Sequence, residues 1–123
     1  MKRMYILIAA LIATGFLRSD VALTRGAQDP LVVNSKTIAL KFENARVRVL
    51  EATLPPGAKE QLHSHPAYVI YVIEGGKART HGTDGSAVET EFKTGDVIYR
   101  DPITHWAENV GKTTIRLELV ELK

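Results

Sequence analysis

The chain has 123 residues, 45% of them hydrophobic and 24% charged, with no cysteine and a formal net charge of +2. That length allows one domain, and the lack of cysteine excludes both a disulfide framework and a thiolate metal site. Four basic and two acidic side chains in the first 29 residues account for the whole of the charge. Residues 30–123 are therefore neutral and lack the basic excess that phosphate-backbone binding requires, so nucleic acid is not an expected partner.

Lys2 and Arg3 precede an apolar run from Met4 to Leu17. As a helix this run would cover about 21 Å, short of the roughly 30 Å hydrocarbon core of a bilayer. A basic start and a short apolar stretch read as a helical secretory leader over residues 1–29, with no stable membrane span. Ala22 and Ala27 are candidate final leader residues, although Asp20 and Arg25 stand where small residues are preferred. The expected location is the periplasm or the exterior, the alternative being a protein anchored by this segment.

From residue 30 onward the pattern is short strands and turns. Leu31–Val33 and Thr37–Phe42 read as N-terminal strands. Ala45–Leu54 alternates, setting Val47 and Val49 against Arg46 and Arg48, and Ile115, Leu117 and Leu119 alternate with Arg116 and Glu118. Period 2 implies one buried and one wet face per strand. Turn signals recur at Pro55–Gly57, Gly75-Gly76, Asp84-Gly85, Gly95-Asp96, Asp101-Pro102 and Asn109–Gly111. Gly75-Gly76, between Val69–Ile73 and Lys77–Thr80, reads as a two-residue hairpin. The expected class is all-β, a sandwich or small barrel over residues 30–123.

One stretch carries chemistry: GAKEQLHSHPAYVIYVIEGG, Gly57 to Gly76. His63 and His65 are two apart in a strand pattern, so their rings leave the same face and can share one ion. His105 offers a third imidazole, and neutral imidazoles suit Zn, Fe, Ni or Cu.

These residues resemble the cupin family. Its first motif is matched by Gly57, His63, His65 and the apolar strand into Glu74-Gly75. Its second motif is matched by Gly95, Pro102, His105 and Asn109 in GDVIYRDPITHWAEN. The resemblance covers most of residues 40–122 and implies a small jelly-roll barrel with a divalent metal in its mouth, Fe, Mn, Zn, Ni or Cu. By analogy with the family it also implies a homodimer, with the strands at Leu31–Val33 and Thr37–Phe42 available for the contact. Two features depart from the pattern. The first-motif glutamate is missing, its place falling on Tyr68, Val69 or Ile70. In the second motif the glycine between Pro102 and His105 is absent and the gap is one residue short. Three neutral ligands would leave the ion its full charge and favour an anionic oxygen or sulfur ligand. Among cupins, three-histidine sites resemble those of thiol dioxygenases and diketone-cleaving enzymes, and other carboxylate-poor members act on sugar acids. The implied function is dioxygenase- or isomerase-type chemistry on a small oxygenated or anionic metabolite. The alternative is a non-catalytic cupin that binds a small ligand, and a storage role is a third reading.

Tyr68 is the candidate proton donor. Gln61 shares strand parity with His63 and His65, and Tyr71 and Tyr99 are aromatic, so these three are candidate pocket residues. Trp106 reads as a core aromatic and His81 as an exposed turn residue. Arg79 and Arg100 can attract a carboxylate, although charges near turns are mostly solvated.

Overall fold

A computed structural model describes residues 28–123, and the leader segment lies outside the described residues up to Ala27. Among the described residues no helix is long and apolar enough to cross a membrane. One helical turn, α1 (Pro30–Val33), precedes nine strands: β1 (Ile38–Glu43), β2 (Val47–Leu54), β3 (His63–His65), β4 (Tyr68–Glu74), β5 (Gly76–Gly82), β6 (Ala87–Phe92), β7 (Val97–Arg100), β8 (Ile103–Asn109) and β9 (Ile115–Leu122). They form an antiparallel jelly roll of two sheets, ordered β1-β2-β9-β4-β7 and β3-β8-β5-β6. Between the sheets lies one core, in which Leu50, Leu54, Ile70, Val72, Ile115 and Leu119 of the first meet Ala78 and Phe92 of the second.

The expected strand at Leu31–Val33 is instead the helical turn α1. Pro30 occupies its first turn and the Asp29 side chain accepts a 2.9 Å hydrogen bond from the Leu31 amide. An Asp-Pro start of this kind caps a helix and leaves no amide for a ladder. The Thr37–Phe42 pattern does become the edge strand β1.

Strand β2 turns its other face inward. Leu50, Ala52 and Leu54 are buried, whereas Val47 and Val49 are only half-buried. Pairing with β9 settles this phase, matching Leu50 to Leu119, Ala52 to Leu117 and Leu54 to Ile115. In β9 the expected Ile115, Leu117 and Leu119 do face inward. The same parity carries one residue more, Glu121, directly opposite Arg48.

Gly75-Gly76 does not close a hairpin, because β4 belongs to the first sheet and β5 to the second. The pair is a crossover, and glycine is needed for close approach rather than for a turn. A Cβ on Gly75 would run into the backbone carbonyl of Phe92, and one on Gly76 would meet Ile115 Cγ1 at 2.7 Å. The hairpin is the next connection, β5–β6, where Gly85 has φ +83° and the Gly82 amide donates to Ser86 O at 3.0 Å. Gly75→Ala is therefore expected to destabilise by about 1–3 kcal/mol or more, since backbone cannot yield as a side chain can. At Gly85 the added Cβ meets nothing within 4 Å, and Gly85→Ala should cost only the left-handed penalty of about 1–2 kcal/mol. Urea denaturation of both variants checks the order.

Candidate metal centre

Antiparallel pairing of β3 with β8 sets His63 directly opposite His105 and His65 opposite Ile103. Two residues on one strand and a third 42 positions later thus meet on the inner face. All three rings are buried. Their centroids are 4.8 Å apart for His63–His65, 4.8 Å for His63–His105 and 5.5 Å for His65–His105. One nitrogen from each ring lies within 4.8 Å of the others.

The surrounding hydrogen bonds hold two of the rings from behind. His63 Nδ1 is 2.7 Å from the Gln61 carbonyl oxygen. The Asn34 amide lies 2.9 Å from the same nitrogen and bonds the Gln61 backbone at both ends, accepting from its N and donating to its O. His65 Nδ1 donates to Glu121 Oε2 at 3.0 Å. The inward Nε2 atom of His65 therefore presents a lone pair, 3.0 Å from His63 Nε2. Burial lowers His63 to about 4, and burial with the neighbouring rings lowers His105 to about 3, so neither of these two rings carries a charge at neutral pH. His105 Nδ1 is in addition buried with no hydrogen-bond partner. The donor set, three neutral imidazoles with two oriented from behind, fits a borderline divalent metal.

Glu121 is the residue behind the site that strand alternation alone did not single out as functional. Its other oxygen accepts from Arg48 Nε at 2.6 Å, and Arg48 Nη1 reaches Asp29 Oδ2 at 2.7 Å. Burial pushes the Glu121 carboxyl up, but the hydrogen bonds from His65 and Arg48 and the charge of Arg48 outweigh it and hold it below the usual range. Asp29, on the leader side of the expected boundary, is thus tied to the barrel.

A cavity of about 330 Å³ opens onto the rings, lined among others by Glu60, Tyr68, Ile70, Phe92, Arg100 and Leu117. Tyr68 packs against His65 with centroids 4.6 Å apart, and burial pushes its hydroxyl up to about 12. The β4 residues facing the cavity, Tyr68 and Ile70, carry no carboxylate, but Glu60 does. Its Oε2 lies 3.8 Å from His63 Nε2 and accepts from the Ala107 amide at 3.1 Å, and burial raises it to about 7.

Glu60 escaped the parity argument because the register slips. Lys59 pairs with Glu108, whereas four residues later His63 pairs with His105 only three positions back. The extra residue flips the face between Glu60 and His63. The slip also corrects Gln61. Its side chain is exposed and outside the cavity, and only its backbone serves the site. Tyr71 and Tyr99 are likewise not pocket residues. They pair on the outer side of β4 and β7 with Val97 and Val69, 47% and 58% exposed. His81 is neither in the turn nor freely exposed: it lies in β5, stacks on Trp106 at 3.8 Å and contacts Glu108 at 3.2 Å.

The cupin-domain family profile matches residues 50–121, from β2 through the inner end of β9. The chain belongs to the cupin family. A cupin domain from Bordetella pertussis Tohama I is similar at 25% identity and a TM-score of 0.64, over 70% of this chain and 91% of that one. A conserved Klebsiella pneumoniae protein with a double-stranded β-helix domain is 25% identical over 68% of this chain and 73% of its own, with a TM-score of 0.54. A predicted oxalate decarboxylase from Thermotoga maritima is 26% identical over 70% of this chain and 79% of its own, with a TM-score of 0.50. No curated protein matches.

Proposed function

We propose that this cupin holds one divalent metal ion through His63, His65 and His105 and acts on a small anionic metabolite by oxygen-insertion or isomerisation chemistry. The observation that carries the metal reading is the convergence of three buried imidazoles, one nitrogen of each within 4.8 Å of the others, with His105 Nδ1 left without a hydrogen-bond partner. Similarity to a predicted oxalate decarboxylase supports a small acid as substrate. A bound ion would supply a Lewis acid and a template for an oxygen ligand.

The chain's own groups do the rest. Glu60 brings a carboxyl group to 3.8 Å from His63 Nε2, and a cation beside it would favour its ionised form and so return negative charge to a neutral ligand set. Tyr68 keeps its proton across the physiological range and has no protein partner for its hydroxyl among the described residues, so it can donate to a bound molecule. Both side chains are nearly out of solvent, Glu60 at 7% and Tyr68 at 3% exposure.

Chelator-stripped protein offered Fe, Mn, Zn, Ni and Cu should take up one equivalent of at least one of them, by elemental analysis after desalting. His63→Ala should take up none. Glu60→Gln should remain folded and bind about 10–100-fold more weakly, the usual range for groups that support metal ligands. No stoichiometric uptake of any ion by the wild-type chain would end the metal reading. Oxygen uptake and product analysis with thiols, diketones and sugar acids, native against His63→Ala, test the chemistry. Ligand-induced thermal stabilisation without turnover would leave a binding protein instead.

A further inference from the structure

Four inward-facing residues stand in one row across the first sheet. Arg48 is opposite Glu121, Glu121 opposite Tyr68, and Tyr68 opposite Arg100. At one end Arg48 is neutralised twice, by Asp29 and by Glu121. At the other end Arg100 lines the cavity and makes no ion pair or hydrogen bond among the described residues. Its cross-strand neighbour Tyr68 packs on His65 with ring centroids 4.6 Å apart, which puts Arg100 on the ring side of the cavity.

A guanidinium cannot shed its charge, and its planar fork matches a carboxylate through two parallel hydrogen bonds. Resting on the reading of this cavity as the ligand site, we propose that Arg100 anchors an anion subsite and selects a monocarboxylate carried on an apolar body. Among the described residues Arg100 is the one arginine lining the cavity, so a guanidinium fork meets one carboxylate, and a second acid group would lie among the apolar walls or beside the Glu60 carboxyl. The walls limit the rest of the molecule: Leu54, Ile70, Phe92, Ile115 and Leu117 offer no partner to hydroxyls, and besides Tyr68 the hydroxyl side chains of the lining, Thr80, Ser86 and Thr90, all lie on β5, β6 or the turn between them. Burying unpaired hydroxyls is costly, so a hydrocarbon body fits the larger part of these walls better than a polyhydroxylated sugar acid does.

The test is calorimetric titration of the full chain, both chelator-stripped and metal-loaded, with alkanoates from butanoate to decanoate, the matched neutral amides, gluconate and inorganic phosphate. Octanoate is expected to bind at least tenfold more tightly than octanamide, about 1.4 kcal/mol, with gluconate and phosphate weaker still. Arg100→Gln should erase the preference for acid over amide while metal stoichiometry stays at the wild-type value, and Arg100→Lys should restore part of it. Equal binding of acid and amide, an unchanged preference in Arg100→Gln, tighter binding of gluconate or phosphate, or no alkanoate binding by either form would each overturn the proposal. Metal content measured on the same samples separates this from the metal reading: acid preference without metal uptake removes only the latter, and uptake without preference removes only the former.

Discussion

Glu121→Ala is expected to destabilise the fold by about 3–5 kcal/mol, the cost of breaking a buried ion pair by removing one partner. Glu121 is 1% exposed and accepts from both Arg48 Nε and His65 Nδ1. Without it Arg48 keeps only Asp29, on the less buried side, and the His65 Nδ1 hydrogen is left in an apolar interior. Glu121→Gln should cost less, because an amide oxygen still accepts one hydrogen bond while the charge beside Arg48 is lost. Replacing the pair together, Arg48→Met with Glu121→Leu, should recover most of the loss, since hydrophobic isosteres of buried ion pairs are often neutral or stabilising. Urea denaturation gives all three values, and an alanine cost under about 1 kcal/mol would show that the row is solvated rather than structural.

The second large effect is a two-slope acid limb in the metal-free protein. His63 and His105 have folded values of about 4 and about 3 against an ordinary 6.5. Below pH 6.5 the unfolded chain takes up both protons and the native state does not, so stability present above 6.5 is lost as pH falls. Glu60 acts oppositely: at about 7 against 4.5 it binds its proton in the native state first and stabilises between those values. The net difference from pH 6.5 to 4.5 is therefore about one proton, or roughly 3 kcal/mol over two pH units. Below 4.5 Glu60 no longer compensates, and Glu121, held below its ordinary value, begins to lose its contribution, so the limb steepens. Glu60→Gln should steepen the upper part, and saturating divalent metal should shift the whole limb to lower pH by binding only the native state. A flat profile from 6.5 to 4.5, read from denaturation midpoints across pH, would contradict this assignment.

Much of the centre was legible before any coordinates. His63 and His65 share a face because strand period is local, and His105 is placed by a second motif in the right order. Glu60 was not legible, because its facing depends on a one-residue slip against β8 that no strand pattern in residues 57–65 displays. The inner face of β2 was misread from residues 46–49, where valines lie outward and Arg48 inward. The aliphatic residues at 50, 52 and 54 carried the correct phase. Arg100 read as surface because it adjoins a turn, yet its pairing with Tyr68 turns it inward.

By itself the sequence determined the all-β class, the shared face of His63 and His65 and most turn positions, which follow from spacing along a single strand or from glycine and proline chemistry, while His105 joined the pair through the resemblance to the family's second motif. Tertiary structure alone decided the inner face of β2, that Gly75-Gly76 joins two sheets instead of closing one, and that Glu60, Glu121 and Arg100 gather around the rings. The reason is geometric: a side chain's direction alternates with every residue, so one bulge or one choice of partner strand reverses it, and both are set by chain segments dozens of residues away.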